Sequence, residues 1–165
     1  MVQPRHARIG QDGYDVQLLT GGSPEHDEAE RDLLAHDVPL PLPHLAVWAR
    51  FRPAAGFWFL LVRDPRGQPV GGFMLEVSRS RALPRHLLLH SERFGASLPA
   101  NVAAPALRAL EALARGDRRI LRLDIEVFSP DADRRRTLGG ALAGAGFTST
   151  PPRRSYAETL TGELM

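Results

Sequence analysis

Three stretches of this chain point to an α/β (α+β) fold: a mixed, mostly antiparallel sheet flanked by helices. Asn101 to Phe147 reads helix, strand, helix and glycine stop, because apolar positions recur first at helical spacing, then in alternation, then at helical spacing again. Phe57 to Val62 is apolar without a gap, as in a strand covered on both faces, and Asp64-Pro65-Arg66-Gly67 after it is a hairpin turn. Tyr14 to Leu19 alternates as a strand and leads through Gly21-Gly22-Ser23-Pro24 into a helix. With 165 residues, the chain is long enough for one domain with a proper core.

In chain order, residues 1–13 are polar and irregular, a flexible N-terminal segment or a short edge strand, and a single domain is expected over residues 14–165. Ser23 caps the first helix with Pro24 at its first position. Glu25, Asp27 and Glu28 suit its positive end, and it should run to Leu34 or Ala35. The alternate prolines of Val38 to Pro43 forbid helix and favour an extended connector. A helical pattern resumes at His44 to Phe51.

The hairpin's return strand carries Gly71-Gly72, which mark a bulge or a close backbone approach. A third meander strand is expected at His86 to His90, with Ser91 to Gly95 as the loop into a helix starting near Pro99. That helix buries Val102, Leu107, Leu110 and Leu113 and stops at Gly116. Ile120 to Phe128 is then expected as the central strand, with Leu121, Leu123, Ile125 and Val127 on its apolar face and Arg122, Asp124 and Glu126 on the other. Leu123 and Ile125 should be buried. Ser129 and Pro130 open the last helix, whose stripe of Leu138, Ala141, Leu142 and Ala145 ends at Gly146-Phe147. Short strands are expected at Phe147-Thr148 and Ser155 to Leu160, around Pro151-Pro152-Arg153-Arg154.

Composition narrows the function classes. All 21 basic residues are Arg, set against 19 acids for a formal charge of +2, and the isoelectric point is about 9.9. That usage fits a high-GC codon bias. The arginines are scattered, and the aromatic interleaving of a single-strand-binding platform is missing, which argues against a dedicated nucleic-acid binder. With no Cys, disulfides, thiolate metal sites and a thiol nucleophile are excluded. His86 and His90 fall four apart on a strand and read as surface histidines, so no metal site is expected. No apolar run approaches the roughly 20 residues of a membrane span, and no signal-like core opens the chain, so a cytoplasmic protein is expected.

The hairpin Trp58 to Val77 with its Asp64-Pro65-Arg66-Gly67-Gln68-Pro69-Val70-Gly71-Gly72 turn, the helix Ala103 to Ala114 followed by Arg119-Ile120-Leu121-Arg122-Leu123, and the capped helix closing on Gly146-Phe147 together resemble the GNAT acyltransferase superfamily. The likeness spans about residues 15 to 161. The close, with Gly146-Phe147, Pro151-Pro152 and Ser155-Tyr156-Ala157-Glu158-Thr159-Leu160-Thr161-Gly162-Glu163-Leu164, is similar to a half of the FemAB-like branch, whose members resemble peptidoglycan bridge-forming aminoacyltransferases built from two such domains. A single copy is accordingly expected to form a homodimer.

The resemblance implies transfer of an acyl or aminoacyl group to an amine, the donor being acyl-CoA or aminoacyl-tRNA and the acceptor a small molecule or a peptidoglycan precursor. It places a general base where the third meander strand ends, at Glu92, with Glu126 on the next strand as the alternative and Tyr156 as the best-placed hydroxyl. Plainer roles stand beside these: a solvated loop acid, a salt bridge of Glu126 or Asp124 with Arg122 or Arg119, and an ordinary strand aromatic. Arg93, Gly95 and Asn101 are the cofactor candidates of the loop before the long helix. The loop departs from the family, however. Members read Gln or Arg, two residues, Gly, one residue, then Gly or Ala there, to cradle a pyrophosphate, whereas Glu92 to Pro99 has Gly95 alone, the spacing fails and Pro99 removes a donor. The family's tyrosine general acid falls at Leu142. A non-catalytic domain that keeps the fold as a binding or dimerisation module is the alternative reading.

Overall fold

The computed structural model describes residues 8–11, 13–52, 56–129 and 131–149. Its strands form a six-stranded sheet in sequential order. Strand β1 (Arg8–Gln11) pairs antiparallel with β2 (Tyr14–Thr20), so part of the N-terminal segment takes the edge-strand form. Strand β2 pairs with β3 (Gly56–Arg63), β3 with β4 (Pro69–Arg79) and β4 with β5 (Leu87–Phe94), all antiparallel. Strand β6 (Ile120–Val127) joins β5 in parallel.

Two cores explain why β3 has no polar face. Trp58, Leu60 and Val62 pack with Phe73, Leu75, Leu89 and the helix α3 (Ala100–Gly116), while Phe57, Phe59 and Leu61 pack with Met74, Leu19 and Leu33 of α1 (Pro24–Ala35). Successive side chains point to opposite faces of a strand, so a strand buried on both sides must be apolar throughout. The glycine pair of β4 sits where that packing is tightest: a Cβ at Gly71 would lie 2.6 Å from Leu98 and one at Gly72 2.5 Å from Phe59. In the hairpin turn, the Asp64 carboxylate accepts from the backbone N–H groups of Arg66 and Gln68 at 2.9 and 2.8 Å. Phe73 is fully buried and meets Phe94 edge-on at 5.0 Å between ring centres. Phe73→Ala is expected to destabilise the fold by about 3 to 5 kcal/mol, since truncating a buried ring leaves a cavity. Urea unfolding of this variant measures the loss; a midpoint within error of wild type would place Phe73 outside the core.

The helices start as their caps dictate. Ser23 accepts from the His26 N–H at the head of α1, and Pro24 occupies the first turn. The prolines of the connector end in a short 3-10 turn, Leu42–His44, ahead of α2 (Ala46–Phe51). Helix α4 (Ala132–Gly144) is capped by Asp131, whose carboxylate accepts from the N–H groups of Asp133 and Arg134, and not by Ser129. It closes as expected: Phe147 N–H bonds to Leu142 O and Gly146 N–H to Ala143 O, with Gly146 at φ +82°. This is the Schellman arrangement, which needs a left-handed residue after the helix. Both α3 and α4 cover the same core, Leu138 being the buried residue of α4.

Four expectations are corrected. Strand β5 runs past His90 to Phe94, taking in residues expected as loop, because Phe94 is drawn into the core. Strand β6 is an edge of the sheet among the described residues, not its centre, so Leu123 and Ile125 are half-buried. The β5–β6 register shifts between Leu87 and Leu88. This shift leaves Leu121 51 % exposed while Ile120 packs on the core. Phe147 and Thr148 form no strand; Phe147 packs on the core as the last link of the α4 cap. The expected strand Ser155 to Leu160 lies outside the described residues, and no described helix is long and apolar enough to cross a membrane.

Candidate functional site

The side of β5 facing away from α3 carries the titratable side chains His90 and Glu92. Leu87, Leu89 and Ser91 are buried toward the α3 core, so His90 and Glu92 emerge on the opposite face, where His90 pairs in register with Glu76 of β4. The two register steps around the end of β5 are Ser91 opposite Ile125 and Phe94 opposite Val127. Glu92 and Arg93 thus form a bulge, with Arg93 at φ +53°. A bulge of this kind bends the strand and re-aims its side chains. Across the pair, Glu126 stands on the same face. The Nε2 of His90 is 4.0 Å from Glu92 Oε1 and 4.0 Å from Glu126 Oε2. At that distance the imidazole is flanked by both carboxylates without a fixed hydrogen bond to either.

A cleft opens beside this cluster, lined by His44, Trp48, Arg52, Glu76, His90 and Glu92 among others. Arg52 forms a wall of it: its guanidinium grips both carboxylate oxygens of Glu76 at 2.9 and 3.2 Å and lies 5.9 and 5.8 Å from the ring centres of Trp48 and Phe57. The pairing is the planar fork-to-carboxylate contact that arginine favours, reinforced by ring faces. With Arg52 committed to Glu76, Glu92 is the further carboxylate of the cleft lining, and Glu126 meets His90 from β6. The cleft therefore favours a cation.

Beneath it runs a chain of buried imidazoles. The Gly22 N–H donates to His26 Nδ1 at 3.0 Å, so His26 donates from Nε2 to the His44 carbonyl at 3.2 Å. His44 Nε2 in turn donates to the Glu92 carbonyl at 2.6 Å. Burial pushes both imidazoles down from 6.5 to about 4, against which the backbone hydrogen bonds work only in part. Each is neutral at pH 7.

The loop candidates are not brought together around an anion. The Arg93 guanidinium lies 5.1 Å from the Phe128 ring centre. Gly95, at φ +87°, lies under Leu138, which a Cβ there would meet at 2.4 Å. Asn101 reaches the Tyr14 hydroxyl at 3.4 Å. Ser97 Oγ donates to the Gly72 carbonyl at 2.6 Å, and Arg134 of α4 donates to the carbonyls of Gly95 and Leu98 at 2.5 and 2.9 Å. Pro99 caps α3 without a side-chain bond. A loop whose carbonyls face a guanidinium, with a proline at the helix mouth, does not fit a diphosphate cradle, which needs converging N–H groups. Leu142 packs on the core. Tyr156 lies outside the described residues. Among the described residues no group of three His, Cys, Asp or Glu is arranged to hold a metal.

Sequence reading set His90 aside with His86 and gave His44 no role. The signal for His90 was present: it lies two residues before Glu92, and period two puts such residues on one face. His44 left no such signal, because its partner is 48 residues away.

No protein-family model matches this chain, and no curated protein does. Among solved structures, the chain is similar to an acetyltransferase of Trypanosoma brucei at 18 % identity, over 86 % of this chain and 98 % of that one, with a TM-score of 0.48.

Proposed function

We propose that this protein transfers an acyl group to an amine, with Glu92 as the proton acceptor. The observation that carries the reading is the cluster of Glu92, His90 and Glu126 at the bulge, in which Glu92 and His90 line a cleft where Arg52 is already paired with Glu76. An amine arrives as an ammonium ion, which the two carboxylates attract, and it must lose a proton before its lone pair can attack a carbonyl. Glu92 accepts that proton. The freed amine attacks the acyl carbon and the C–N bond forms; the bond from that carbon to the donor's sulfur or oxygen then breaks, its electron pair leaving with the donor group, which takes up the second proton that the amine nitrogen sheds.

The donor is the finer question. The loop of Gly95 to Pro99 does not suit the diphosphate of acyl-CoA, whereas an aminoacyl-tRNA end, the donor of the FemAB-like branch that the chain's close resembles, carries no diphosphate. A peptidoglycan-precursor amine fits as acceptor on the same resemblance, and a homodimer belongs to it; light scattering that reports a monomer at tens of micromolar would remove the dimer. The non-catalytic reading is favoured by one observation, the occupation of the loop carbonyls by Arg134.

Thermal shift separates these readings. Short primary amines should raise the melting temperature and CoA should not, since a ligand at about 100 times its dissociation constant adds roughly 2.7 kcal/mol. A shift with CoA and none with amines would reverse the assignment of the cleft.

A further inference from the structure

We infer that His44 is a positioning residue for Glu92: it holds the backbone of the bulge through the Glu92 carbonyl and so fixes where the Glu92 carboxylate points. The inference rests on the reading of Glu92 given above.

The geometry carries it in three steps. The first is placement. His44 is 1 % exposed, and it closes a 3-10 turn that Pro41 caps and Pro43 lies within, and the fixed φ angles of these prolines leave that turn few alternatives. Its ring reaches from the connector to β5, the short contact to the Glu92 carbonyl binding the connector to the strand.

The second step is cost. A neutral imidazole has one N–H, and here Nε2 spends it on Glu92. That leaves Nδ1 buried with no hydrogen-bond partner among the described residues. An unpaired buried acceptor is unfavourable, and an apolar side chain of similar volume would avoid it. Stability alone therefore does not explain a histidine at this position. Holding the Glu92 carbonyl does, because the bulge residue after it, Arg93, sits in the left-handed region at φ +53°, a conformation that persists only where the surroundings enforce it.

The third step is support from behind. The His44 carbonyl accepts from His26 Nε2, whose ring stacks on Phe59 at 4.1 Å and whose Nδ1 accepts from Gly22. A buried line thus runs from the mouth of α1 to the bulge. Asp27 and Arg50 act on its His26 end and Arg93 on its His44 end, with Glu30 holding the Ala46 N–H and Arg52, Glu76 and Glu92 lining the same cleft as His44. Asp27 and Arg50 are paired with each other at 2.8 Å.

The test is a double-mutant cycle of His44→Ala and Glu92→Gln on the full chain, with amide hydrogen exchange at Arg93 and Phe94 measured alongside. If His44 acts through Glu92, His44→Ala lowers kcat about 10- to 100-fold with KM nearly unchanged, in line with the sensitivity of catalysis to small misplacements. In the Glu92→Gln background it should lower kcat no further. His44→Gln, whose amide can donate to the same carbonyl, should recover most of the loss. Exchange at Arg93 and Phe94 should quicken in His44→Ala and return in His44→Gln. Losses that multiply in the double variant overturn the inference, as does unchanged exchange at both amides. Should His44→Ala fail to fold, His44→Asn takes its place, its shorter amide falling short of the carbonyl. An acyl-transfer assay that is negative for the wild type sinks the reading of Glu92 as a base, while the exchange data still decide whether His44 holds the bulge.

Discussion

Glu92→Gln should lower acyl-transfer turnover by about 10² to 10⁴ while leaving the melting temperature near that of the wild type. The range is that of a general base. The substitution keeps the shape of the side chain and removes its capacity to take a proton. Glu92 is partly exposed, and its structural tie to the fold runs through its backbone carbonyl, which Gln retains. Glu126→Gln should cost less, because Glu126 is not among the residues lining the cleft and is 52 % exposed, against 38 % for Glu92. Steady-state rates for both variants decide the matter: equal losses would make the three side chains one unit, and a larger loss in Glu126→Gln would move the base to β6.

Acidification should destabilise the protein well above the pH at which ordinary carboxylates protonate. His26 and His44 titrate near 4 in the folded chain, against 6.5 as the ordinary value. Between those two values the unfolded state binds protons that the folded state refuses. Stability therefore falls as the pH is lowered through that window and is fully present above it. For two such imidazoles the loss between pH 7.5 and pH 5 comes to about 2 kcal/mol each, or about 4 kcal/mol together, at 1.36 kcal/mol per pH unit. That is a large part of the 5 to 15 kcal/mol typical of a domain. Urea unfolding at pH 7.5, 6 and 5 measures it, and His44→Gln should halve the slope. Stability that is flat across this range would mean that the imidazoles are hydrated in the folded state.

Local chemistry made much of the fold legible. The gap-free Phe57 to Val62, the Asp64 turn, the Ser23 cap and the Gly146-Phe147 stop each follow from interactions within a few residues, and each stands in the structure. What misled was long-range. Leu121 reads as apolar-face by alternation, and only the register shift against β5 turns it out. Glu92 reads as loop, because the pull of the core on Phe94, which extends the strand past it, has no local trace. The site divides in the same way. Glu92 and Glu126 are visible as carboxylates on adjacent strands, whereas the Arg134 contact with the loop before α3 depends on how α4 packs.

The most direct test is to look for the product. Purified protein is incubated with a primary amine acceptor and, in parallel, with acetyl-CoA or an aminoacyl-tRNA as donor, and the amine is followed by mass spectrometry. Acylated amine is the expected product, with aminoacyl-tRNA the better donor and the yield collapsing in Glu92→Gln. No acylated amine from either donor, from protein that melts cooperatively, would contradict the proposed transfer and leave a binding domain built on the same sheet.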